Sequence, residues 1–159
     1  MQVAETIEES GLRIGAHTWV AARLFEALGR WSVTVDDPRA RAVLATASRR
    51  LGWQAELWWG LLPGLPHLPA AELVAPPASL PDLVVTLEAL DEAPDHQRVA
   101  ALVDDVLPRV LTDLDEHLAV TTPVTDGPTV RVLGLARADV QAALDALSSW
   151  AASRPRSAG

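Results

Sequence analysis

Residues 63–81 read PGLPHLPAAELVAPPASLP, and this stretch decides the fold. Prolines stand at 63, 66, 69, 76, 77 and 81. A proline inside a helix removes a hydrogen bond and drives its ring into the preceding turn, so no long regular helix runs through here. On both sides, apolar residues return at helical spacing. The stretch is therefore a long connection between two blocks of helix, and a short helix over 82–90 completes it.

Toward the N-terminus lies helix two. Asp37-Pro38 marks its start, because Asp37 can cap free amides and proline is tolerated at the first helical position. Ala40, Leu44, Ala47, Leu51, Gln54, Trp58 and Leu61 then form one stripe, which ends near Pro63-Gly64. Helix one precedes it over residues 8–31, with Ile14, His17, Ala21, Leu24, Leu28 and Trp31 at three- and four-residue steps. Gly11, Gly15 and Gly29 weaken that helix locally. The turn between the two is short, which favours antiparallel neighbours.

Toward the C-terminus, helix three is expected over 95–119. Val99, Val103, Val106 or Leu107, Val110, Leu114 and His117 face inward, and Pro108 either kinks the helix or begins its second half. Residues 121–128 form a turn. Asp126 caps helix four with Pro128 in its first turn, and Val130, Leu133, Ala136, Val140, Leu144, Leu147 and Ala151 supply its stripe. Residues 153–159 are a short, basic, frayed tail. Four amphipathic stripes close a core together. The expectation is an all-α antiparallel four-helix bundle over residues 1–152, with a long Pro-rich crossover between helices two and three.

Composition narrows the function classes. The formal charge is -8, so the surface repels phosphate backbones and nucleic acid is not an expected partner. There is no cysteine, which excludes disulfides and thiol chemistry. The apolar run at 57–65 stops at Pro66, well short of the roughly 20 residues a membrane span needs. The acidic start, with Glu5, Glu8 and Glu9, has no signal-peptide pattern. The expectation is a cytoplasmic protein without a membrane partner.

Three stretches carry a resemblance. IGAHTW at 14–19 with LGRW at 28–31, ASRR at 47–50 with WQAELW at 53–58, and PVTDGP at 123–128 are similar to a group of actinobacterial ferritin-like proteins. The resemblance implies a ferritin-like bundle with one long crossover. Ferritin-like proteins with metal centres often hold two iron or manganese ions, through one Glu on each of two helices and a Glu-x-x-His on each of the others. This chain has no Glu-x-x-His: Glu56 is followed at i+3 by Trp59, and Asp139 by Ala142. No metal site and no cofactor are assigned.

The candidate chemistry lies in a few polar residues near the inward faces. His17 sits on an apolar stripe, where burial without a partner is costly, and Gln54 or Glu56 across the first hairpin are its expected partners. Asp113 and His117 are four residues apart on one helix face, so the carboxylate can orient the imidazole as a general base, or the two can make an ordinary helix-surface contact. Glu56 beside Trp53 and Trp59 is either a buried acid with a raised pKa or an outward-pointing carboxylate. Trp31, Trp53, Trp58 and Trp59 are candidates for a ligand pocket or an interface. The first functional expectation is a non-catalytic helical protein that binds itself, as a homodimer, or another protein. The second is a small enzyme acting on an apolar small molecule through His17, Glu56, Asp113 and His117, metal-free or with an atypical metal site.

Overall fold

The computed structural model describes residues 5–154 and is an all-α helical bundle, with no strand among those residues. Helix α1 covers Ile7–Thr34. Thr6 and Glu9 close a capping box: the Thr6 hydroxyl accepts from the Glu9 amide at 3.1 Å, and the Glu9 carboxylate from the Thr6 amide at 2.8 Å. Helix α2 covers Pro38–Leu61, and Asp37 accepts from the amides of Arg39 and Ala40 at 2.8 and 3.0 Å. The two helices pack along one another as a hairpin. Their apolar stripes are buried as the spacing predicts, except that His17 and Leu61 are half-buried.

The connection that follows contains α3 (Ala70–Leu73) and α4 (Leu83–Leu90). It drives Leu73, Leu80, Leu83 and Leu87 into the interior. Helix α1 makes room for it with glycine. A Cβ on Gly15 would lie 1.9 Å from the Leu73 carbonyl oxygen, and one on Gly11 would lie 2.9 Å from Pro63 Cγ. These glycines, which read as weak points in a helix, are the surface on which the connection rests.

Helix α5 (Asp95–Ala101), a π-helical turn (Leu102–Val106) and helix α6 (Leu107–Val120) follow without a break. Pro108 has no amide proton, and its ring crowds the carbonyl four residues back. The turn before it widens, and the Leu107 amide reaches back five residues to the Leu102 carbonyl. One extra residue in the turn rotates the inward face. Leu102 is therefore buried where Val103 was expected, and Val106 and Leu107 are both buried.

Helix α7 covers Pro123–Ser153 and packs against α2 and α6. Its first turn is set off by Asp126, whose φ of -155° and ψ of 76° are not helical. Asp126 then caps the main body by accepting from the Thr129 amide at 3.1 Å, as the Asp-Gly-Pro sequence predicts. The buried face runs through Thr129, Val132, Leu133, Ala136, Val140, Ala143, Leu147 and Trp150. Val130 and Leu144 are only half-buried and Ala151 is exposed, which corrects the expected stripe by about one residue. Thr129 takes the interior place because its hydroxyl is also satisfied by Asp126.

One end of the bundle is locked by a buried arginine. Arg98 donates from Nε to the Leu90 carbonyl at 2.9 Å, from Nη1 to Thr34 Oγ1 at 2.9 Å, and from Nη2 to the Asp91 carbonyl. Its guanidinium lies 5.8 Å from the Trp31 ring centre, and Trp31 Nε1 donates to Asp91 Oδ1 at 2.7 Å. Among the described residues no helix is long and apolar enough to cross a membrane. Residues 155–159 of the expected tail, and residues 1–4 of the expected domain, lie outside the described residues.

Candidate functional site

Helices α1, α2 and α6 and residues 77–79 of the connection line a cavity of about 260 Å³. Val20, Leu51, Val110 and Leu114 give it aliphatic walls, and His17 and Trp58 give it an aromatic one. Exposed Arg13, Ala78 and Glu116 also line it, so the cavity reaches the surface. The antiparallel first hairpin sets the aromatic wall: the His17 and Trp58 ring centres are 4.8 Å apart with planes inclined by 33°.

Behind that wall, His17 Nε2 and His117 Nδ1 share a hydrogen bond of 3.0 Å, with rings 5.2 Å apart and nearly parallel at 16°. His117 has no exposed surface. Burial, then the neighbouring His117, then Arg13, hold the His17 pKa down to about 3. Burial, followed by Arg13, holds His117 down to about 4, with Asp126 pulling weakly the other way. Both rings are therefore neutral at neutral pH, and one donates to the other. Among the described residues, His117 Nε2 is buried without a partner and His17 Nδ1 has no hydrogen bond.

At the cavity edge, Asp113 is half-buried and accepts a hydrogen bond from the Ser79 hydroxyl. Burial pushes its carboxyl above the usual range and the charge of Glu116 adds to this, against the Ser79 bond and Arg13. The Ser79 carbonyl accepts from Arg109 Nη1 at 3.1 Å, so this part of the connection is pinned to α6 twice. Gln54 is buried beside the cavity, and its amide donates to Asp139 Oδ2 at 3.1 Å.

The expected groupings are thus rearranged. His17 is paired with His117 rather than with Gln54 or Glu56. Asp113 and His117 share a helix but not a hydrogen bond: His117 points into the core toward His17, while Asp113 stays at the edge with Ser79. Glu56 is exposed and outside the cavity, because Leu51, Gln54 and Trp58 take the inward face of α2. Trp31 is 1% exposed and sealed in the core, so it is no surface for a ligand or partner. Trp58 lines the cavity, whereas Trp53 and Trp59 are 50% and 51% exposed. Sequence reading missed Ser79 and Arg13. Ser79 carries no signal within a proline-rich loop, but Arg13 stands one helical turn before His17 and was open to the same spacing argument.

Among the described residues no three His, Cys, Asp or Glu side chains converge as a metal-binding group. The residues present do not fit the two-metal ligand set that the resemblance raises. No known protein family, curated protein or solved structure matches the chain. The arrangement is a small, mostly apolar chamber with an aromatic wall and a polar edge.

Proposed function

We propose that this protein is a non-catalytic helical binder of a small, flat, apolar molecule, held in the cavity against His17 and Trp58. The single observation behind this reading is that cavity of about 260 Å³ with its aromatic wall. A void of roughly 150 Å³ lined by apolar side chains accepts benzene, so the volume suits one or two fused rings. The histidines favour binding over proton transfer. A general base works best with a pKa near the operating pH, and His17 at about 3 is too weak a base for that role. The proposed architecture is a ferritin-like four-helix bundle, supported by the order hairpin, long connection, hairpin.

Calorimetric titration with 3-ethylindole tests the reading. Saturable binding to the wild type, abolished in Ala16→Trp at the cavity wall and retained in Trp59→Ala, is the expected result. Equal heats in all three folded proteins would refute it.

A second reading, self-association or protein binding, is favoured by the exposure of Trp53 and Trp59 on α2. It predicts a concentration-dependent mass in sedimentation that Trp53→Ala and Trp59→Ala reduce. A single monomer mass across the range would remove self-association.

A further inference from the structure

Resting on the cavity reading above, the geometry points to an ammonium-bearing guest: an aromatic body against His17 and Trp58, with its cationic head on Asp113 beside Glu116.

The argument starts from what Asp113 lacks. It is a half-buried carboxylate at the edge of an apolar chamber, and its hydrogen bond comes from a neutral hydroxyl, Ser79. Among the described residues no cationic nitrogen lies within ion-pair distance of it. A carboxylate withdrawn from water is stabilised by a partner of opposite charge. Two charges act on it without pairing with it: Glu116, a second carboxylate, makes the ionised form harder to hold, and Arg13 eases it from beyond ion-pair distance. The cation that also lines the cavity, Arg13, is turned to another acid: its Nε lies 2.6 Å from Glu5 Oε1. The edge therefore presents two carboxylates against one arginine, whose Nε is bonded to Glu5.

A bound ammonium would complete that edge. It donates to Asp113, whose second lone pairs remain free of Ser79, and it lowers the repulsion between Asp113 and Glu116. The rest of such a guest needs an apolar wall and a flat surface, which Val110, His17 and Trp58 provide. An anionic guest meets the opposite situation, since it would face both carboxylates with a single arginine, paired through Nε to Glu5, against them. A neutral guest leaves Asp113 as it is.

Three probes with one ring system separate these cases: tryptamine, 3-ethylindole and indole-3-acetate, titrated calorimetrically into the full chain at neutral pH. Tryptamine is expected to bind at least about tenfold more tightly than 3-ethylindole, with indole-3-acetate weakest. Asp113→Asn keeps an acceptor for the Ser79 hydroxyl, and is expected to erase tryptamine's advantage over 3-ethylindole when both are measured on the same variant. Glu116→Gln, at an exposed position, should reduce the advantage in part and serves if Asp113→Asn does not fold. Equal or tighter binding of 3-ethylindole or indole-3-acetate, or a tryptamine affinity indifferent to both variants, overturns the cationic assignment and leaves the cavity reading standing. No binding of any probe to folded protein overturns both.

Discussion

At the scale of the residue, the pair His17–His117 governs behaviour in acid. Both rings have folded pKa values, about 3 and about 4, below the ordinary 6.5. Between those values the unfolded chain takes up protons that the folded chain refuses, so stability is full above about 6.5 and falls as the pH drops toward 4. Each fully shifted group contributes a slope of about 1.4 kcal/mol per pH unit between its folded and unfolded pKa values. Asp113 acts in the opposite sense, because a raised carboxyl holds its proton more readily folded than unfolded, but it is only half-buried. Carboxylates held low, such as Asp91 bonded to Trp31, lose their contribution only at still lower pH. Urea denaturation across this range should show the loss between pH 6.5 and 4, and a His17→Leu/His117→Leu double variant should flatten it. A wild-type profile that stays level over that window would contradict neutral burial of the pair. The inward position of His17 was legible from its stripe. Its partner was not, because spacing relates residues on one helix and His117 lies 100 positions away.

At the scale of the element, close approach rather than helix propensity explains the glycines of α1. Gly15→Ala places a methyl group against the backbone of Leu73, where no side chain can swing aside. It should cost about 2 kcal/mol or more in chemical denaturation, as overpacking does. Gly134→Ala, on the exposed side of α7 with nothing within 4 Å, should instead stabilise by about 0.5–1 kcal/mol. If both substitutions stabilise, the connection does not rest on α1 as described. The faces of α1 and α2 were legible because their apolar residues recur without interruption. That of α5 and α6 slipped where the π-helical turn ahead of Pro108 adds a residue, a local adjustment that a fixed period cannot express. On α7, Thr129 and Trp150 displaced the expected Val130 and Ala151, since burial followed hydrogen bonding and size rather than apolar spacing alone.

At the scale of the whole molecule, two helical blocks are joined by a connection that both seals the core and walls a cavity. The prolines of residues 63–81 exclude a long regular helix, and the structure holds only the four-residue α3 there; the cavity depends on where Ser79 is pinned, and no local pattern encodes that. Arg98 ties the end of α1 to the end of α4 through the Thr34 hydroxyl and the Leu90 and Asp91 carbonyls. Arg98→Met should lower stability by about 3 kcal/mol, because it leaves those acceptors without their charged donor. A loss under about 0.5 kcal/mol, the range of ordinary surface changes, would show that this lock is dispensable. The central claim, however, concerns the cavity, and methyl-resolved NMR during titration with 3-ethylindole tests it most directly. The account predicts saturable shifts concentrated on the methyl groups of Val20, Leu51, Val110 and Leu114, which line the chamber. Unmoved methyls there, or shifts confined to the surface around Trp53 and Trp59, would contradict it.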